Sequence, residues 1–190
     1  MNRLKISFVF FLITFQCSSQ TDPKAQEILK GVSAKYKSYK SLIASFKLNL
    51  LDKKSNKSQN QTGTVTLKGI MYNLVMADQQ VMCDGKVMWT YLKESNEVQV
   101  SEAETKTDAL SPTTIFTMYE KGFKTKFIAE KSVGGVVMQQ IELYPEDNKK
   151  NYFKVLINIS KKDKYLNNAK VFDKNGNIYT YSITKFTPMQ

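Results

Sequence analysis

At 190 residues the chain is long enough for one domain with a sizeable core, and its apolar and charged fractions are ordinary for a globular protein. The net charge of +11 points to an anionic neighbour, but Arg3 is the only arginine, and phosphate or guanine readout leans on arginine forks, which argues against nucleic acid. There is no histidine, which excludes Ser-His-Asp and Cys-His catalysis and His-ligated zinc; no catalytic residue, metal site or cofactor is assigned.

The chain opens with a targeting pattern. Asn2-Arg3-Leu4-Lys5 is basic, and Ile6 to Phe15 is an apolar run too short to cross a bilayer core of roughly 30 Å as a helix. Small residues Cys17 and Ser19 place a cut after Ser19, so residues 1–19 are read as a signal peptide and 20–190 as one exported domain. The other reading makes Cys17 an acylated first residue and the protein lipid-anchored; Thr14-Phe15-Gln16 is a poor match to that signal. After cleavage at Ser19, Cys83 is the only cysteine, so no internal disulfide forms although the compartment would allow one.

Asp22-Pro23 predicts a helix start, with Asp as cap and Pro at the first helical position. Ala25, Ile28, Leu29, Val32 and Tyr36 then recur at helical spacing, and the helix is expected to end near Tyr39. From Leu42 the period becomes two: Leu42, Ala44, Phe46, Leu48 and Leu50 share a strand face. Asp52 to Gln61 is polar throughout and reads as a loop. Thr62 to Lys68 and Met71 to Met76 are strands, with Tyr72, Leu74 and Met76 on the inward face of the latter.

Val81 to Val100 reads as three strands. Asp84-Gly85 is a strong hairpin signal and predicts a type I′ turn; Glu94-Ser95-Asn96 is a second turn. Val87, Trp89 and Tyr91 share one face of the middle strand. Trp89, the only tryptophan, is read either as a core residue or as part of a cavity wall for an apolar ligand.

Ser101 to Ala109 is a polar loop. Ser111-Pro112 opens a second helix that runs to about Lys121 and carries Ile115, Phe116, Met118 and Tyr119. That helix is either a plug at the end of a barrel or a lid whose apolar face meets a ligand. Strands resume over Phe123–Glu130, Val136–Tyr144, Tyr152–Ser160, Leu166–Phe172 and Ile178–Phe186. Asp173, Asn175 and Asn177 resemble the start of a calcium loop, but the glycine is misplaced and no glutamate closes it, so the segment is read as a turn. These elements make a mainly β (α+β) fold: a strongly curved antiparallel sheet forming a half-open barrel, covered by short helices.

The opening DPKAQEILKGVSAKYKSYKSLIASF, the strand GTVTLKG and above all VMCDGKVMWTYLKESNEVQV resemble the periplasmic outer-membrane lipoprotein carriers of the LolA type. SPTTIFTMY and FDKNGNIYTYSITKF lie where that family has a lid helix and late strands. The resemblance implies a non-enzymatic periplasmic carrier, with no cofactor, that shields lipoprotein acyl chains between inner and outer membrane. Its implied partners are acylated lipoproteins, an inner-membrane exporter as donor and an outer-membrane acceptor, with the carrier a monomer. The alternative is a membrane-anchored LolB-like receptor or another lipid-binding or lipid-sensing module. The cavity wall would be Phe46, Leu48, Tyr72, Leu74, Met76, Trp89 and Tyr91, and the lid Ile115, Phe116, Met118 and Tyr119. Two departures stand out. Lys68-Gly69-Ile70 occupies the place of an arginine that latches the lid in the family, and the chain stops at Pro188-Met189-Gln190, where a further strand is expected, leaving an open edge.

Overall fold

The computed structural model describes residues 22–103 and 122–189. The expected signal peptide and the second helix, with Ile115, Phe116, Met118 and Tyr119, lie outside the described residues.

Helix α1 (Pro23–Lys37) starts where the cap chemistry predicts. Asp22 Oδ1 accepts from the amides of Lys24 (2.8 Å) and Ala25 (3.3 Å), which satisfies two of the free donors of the first turn. The helix ends at Lys37, two residues before the expected end, because Ser38 caps it: its hydroxyl donates to the Lys35 carbonyl at 2.7 Å.

Eleven strands follow: β1 (Ser41–Asp52), β2 (Lys57–Lys68), β3 (Met71–Met76), β4 (Gln79–Cys83), β5 (Val87–Leu92), β6 (Glu97–Glu102), β7 (Phe123–Val133), β8 (Val136–Pro145), β9 (Tyr152–Ser160), β10 (Leu166–Asp173) and β11 (Asn177–Met189). They form one antiparallel sheet in the order β6-β5-β4-β3-β2-β1-β11-β10-β9-β8-β7. The order is a meander cut in two, with the first and last strands paired at the centre. The sheet is not closed, so β6 and β7 are its edges. The open edge expected at the chain's end is limited to the last residues: β11 is hydrogen-bonded to β1 along its length and to β10 over Ile178–Ser182, which leaves residues 183–189 paired on one side. Register shifts at Ser45/Phe46, Phe127/Ala129 and Leu166/Asn168 bend the strands as bulges do, which lets so wide a sheet curve around its core.

Two local expectations are corrected. The polar segment Lys57–Gln61 is not loop: it pairs with β1 down to Asp52↔Lys57, around a short turn with Asn56 at φ 53°. No apolar face marks it because both its faces are exposed; the ladder with β1 holds it. The turn at Asp84-Gly85 is not type I′. Only Gly85 has positive φ (96°), the Asp84 amide donates to the Val87 carbonyl, and the Asp84 carboxylate accepts from the Lys86 and Val87 amides, each at 2.8 Å. The turn is thus centred on Gly85-Lys86. A side chain at Gly85 would collide with Ile70, which packs the β2–β3 turn against this one.

The core lies between α1 and one face of the sheet. Ala25, Ile28, Leu29 and Val32 of the helix meet Leu42 and Ala44 of β1, Val65 of β2, and Ile141, Val155, Ile157 and Ala169 of the late strands. The helix is held at both ends. Asp22 binds β7, and near the other end the Leu166 amide donates to the Tyr36 hydroxyl at 2.9 Å while Lys35 Nζ donates to the Asp163 carbonyl. Burial raises the Tyr36 hydroxyl well above its ordinary pKa of 10.0, so it stays protonated at any ordinary pH.

Candidate functional site

Directly opposed residues in an antiparallel pair share a face, so the registers assign every side chain of the sheet. One continuous row on the helix-bearing, concave face runs Leu42, Leu67, Tyr72, Cys83, Met88, Ser101; the next runs Ala44, Val65, Leu74, Val81, Thr90, Gln99. A third runs Phe46, Gly63, Met76, and Leu92 lies beyond it, opposite Gln79. The ring of Phe46 lies over Gly63, where an added Cβ would sit 2.7 Å from Phe46 Cζ and 3.0 Å from the Val75 carbonyl oxygen.

Five of the seven expected wall residues share this face: Phe46, Leu74 and Met76 are buried, and Leu48 and Tyr72 are half-buried against the core. Trp89 and Tyr91 do not. Trp89 is opposite Met82, and Tyr91 is opposite Gln80, on the outer face. The inward residues of β5 are Met88, Thr90 and Leu92, which the sequence reading missed. A signal for them existed. Two-residue turns at Ala77-Asp78 and Gly85-Lys86 carry the inward face from Leu74 to Val81 to Thr90 by parity alone.

The concave surface has two zones. Under α1 it is filled: Ile141, Leu143, Val155, Ile157, Ile159 and Leu166 are wholly buried. Among the described residues the contiguous buried core ends at β3, with Val81 of β4 packed at its margin. Met88, Thr90 and Leu92 on β5 are half-buried. The inward side chains of β3, β4 and β5 in this zone are uncharged; the Lys93 ammonium lies at its margin, on the Met76 and Ala77 carbonyls, and charge returns on the sheet at Glu97. Its polar atoms are soft or engaged. The Tyr72 hydroxyl donates to Met88 Sδ at 3.3 Å, and Gln79 Nε2 approaches Met76 Sδ at 3.9 Å. Desolvation raises the pKa of the Tyr72 hydroxyl. On the filled side burial pushes Tyr181 up to about 12. The face therefore presents neutral, deformable side chains at neutral pH, a surface suited to an apolar chain rather than to bond-making chemistry. Among the described residues no three His, Cys, Asp or Glu side chains converge as a metal site would need.

A second apolar surface lies back to back with it. A groove of about 370 Å³ is lined chiefly by Thr66, Lys68, Met71, Asn73, Met82 and Trp89, a set centred on one outer row of the sheet.

The sequence model for outer membrane lipoprotein carrier protein LolA matches residues 25–175. The chain belongs to the LolA family of outer membrane lipoprotein carrier proteins. No curated protein matches it. Solved structures share the fold of this LolA-family chain at low identity. An uncharacterized conserved protein from Thermus thermophilus superposes with TM-score 0.59 and 11% identity, covering 88% of each chain. A domain named for outer membrane lipoprotein sorting, from Vibrio parahaemolyticus, gives 0.52 and 11%, covering 87% of this chain and 92% of its own. The Mycobacterium tuberculosis lipoprotein LppX gives 0.52 and 13%, covering 87% and 96%. Lys68 is exposed and lines the outer groove.

Proposed function

We propose that this LolA-family protein is a non-enzymatic periplasmic carrier that shields lipoprotein acyl chains on the uncharged concave zone of β3–β5 during transfer from an inner-membrane donor to an outer-membrane acceptor. The observation that carries the reading is the mismatch between core and sheet: the concave face continues, neutral and apolar, past the point where α1 covers it. Met88, Leu92, Tyr72 and Val81 are the side chains offered to a ligand. Magnitude bears on the mechanism. Burying about ten methylenes at ~0.8 kcal/mol each gives roughly 8 kcal/mol, near micromolar affinity. Full burial of three acyl chains would hold the cargo too tightly to release. A surface three strands wide that covers part of the lipid fits reversible transfer.

The test is native mass spectrometry of the protein purified without detergent from an envelope extract. The expected result is a bound acylated peptide or lipoprotein, lost in a folded Met88→Asp variant. An empty protein that also fails to extract lipoprotein from membrane vesicles would remove the carrier reading. The LolA fold also occurs in a lipoprotein, LppX, which keeps anchoring through Cys17 as the second reading; the mass of the mature N-terminus separates the two.

A further inference from the structure

The two edges of the open sheet are treated differently. At β7 two outward backbone groups are occupied, those of Thr125 and Phe127. The Asp22 amide donates to the Thr125 carbonyl at 3.0 Å, and the Phe127 amide donates to Asp22 Oδ2 at 2.9 Å. A bulge at Phe127/Ala129 and lysines 124, 126 and 131 further spoil that edge for pairing.

Among the described residues none of these devices is present at β6. All six residues from Glu97 to Glu102 are exposed, the register with β5 is unbroken, and no lysine or proline lies in the strand. The Ala103 amide donates to the Lys86 carbonyl, so by antiparallel alternation Val98, Val100 and Glu102 turn their N–H and C=O groups outward. Val98 and Val100 are 58% and 64% exposed; Val100 extends the outer row of Met82 and Trp89, and Val98 that of Gln80 and Tyr91. Glu97 and Glu102 bracket the strand, an acidic edge on a chain of net charge +11. A second copy would bring another strand with Glu97 and Glu102 and no lysine, adding like charge at this edge, so it is a poorer occupant than a lysine-bearing strand.

We infer that β6 is a docking edge that takes an extended, lysine-bearing segment of a partner protein as a twelfth strand. The backbone of Val98 and Val100 supplies the hydrogen bonds, apolar side chains of the segment continue the Trp89–Val100 row, and its lysines meet Glu97 and Glu102. This inference needs no lipid and stands apart from the carrier reading.

The probe is a capped eight-residue peptide alternating valine with lysine and threonine, titrated into the lipid-free full chain. Amide hydrogen exchange is followed by NMR. Binding is expected to slow exchange at Val98 and Val100 by at least tenfold while the β7 amides stay unchanged. Val100→Pro, which removes an outward N–H and leaves the β5 ladder intact, is expected to weaken binding at least tenfold. The double variant Glu97→Lys/Glu102→Lys, which alters no backbone group, is expected to weaken it several-fold and to favour the same peptide with glutamate for lysine. Equal binding by both variants, protection confined to other residues, or no binding at millimolar peptide would overturn the inference. So would binding only to anionic vesicles.

Discussion

The two halves of the sheet solve the same problem in opposite ways. In β7–β11 the concave face is filled by α1 and a polar network cross-links the outer face, with Val133, Val137 and Phe153 of these strands also exposed: Gln140 donates to Asn158 (3.2 Å), Asn158 to Asn168 (2.7 Å), and Lys154 pairs with Glu142 (3.0 Å). The Glu142 carboxylate also accepts from the Tyr144 hydroxyl and pushes its pKa up to about 12. In β3–β6 the concave face runs on beyond its cover, and the outer face carries Met71, Val75, Met82, Val98 and Val100 in exposed positions. The first half is a scaffold with an inside and an outside. The second is a blade with two surfaces that nothing among the described residues fully covers. Stability is concentrated in one half, and surface available for binding in the other.

Substitution can break that contrast, and the largest effect is expected in the scaffold. Ile157 is wholly buried, and Ile157→Ala should cost about 2–5 kcal/mol of stability, read from the urea midpoint. A loss under about 1 kcal/mol would mean that the two halves are packed alike.

Next is the clasp that ties α1 to β7. Asp22→Ala removes a cap and the Phe127 bond and should cost about 1–2 kcal/mol at neutral pH. The amide of Phe127 foremost, then those of Ala25 and Lys24, hold the Asp22 carboxyl below its ordinary 3.8. A depressed folded-state value contributes stability above the unfolded value. That contribution fades as the pH falls below about 3.8 and is gone once the folded carboxyl is protonated. Thermal unfolding of the two proteins should therefore converge in acid; a difference constant with pH would leave the carboxylate out of the clasp.

The smallest stability effect and the sharpest functional split are expected in the blade. Met88→Asp and Met82→Asp lie across the same strand pair on opposite faces, and each should cost on the order of 1 kcal/mol or less. A fluorescent fatty-acid probe should lose affinity for the Met88 variant and keep it for the Met82 variant. The reverse order would move the lipid site to the outer groove.

Much of this architecture was legible in the residues. The capped helix at Asp22-Pro23, the period-two strands, and the likeness of the Asp-Gly-Lys-x-x-Trp segment to the LolA type all lie in short-range pattern, where local sterics and capping chemistry decide. Trp89 shows where legibility ended. Both faces of Val87–Leu92 are apolar, so alternation alone does not choose between them, and the largest ring drew the choice. Only the pairing of Cys83 with Met88 turned Trp89 outward. Lys57–Gln61 failed for the complementary reason: a strand held by its neighbour needs no hydrophobic face.

The sequence by itself therefore determined the class of protein: one β-rich domain with a capped amphipathic helix, no histidine chemistry, and the marks of the LolA family. Tertiary structure decided which face each side chain serves, which strands become edges, and where the core stops short of the sheet. Those are properties of long-range register and of the pairing of β1 with β11, residues far apart in the chain that no local pattern brings together.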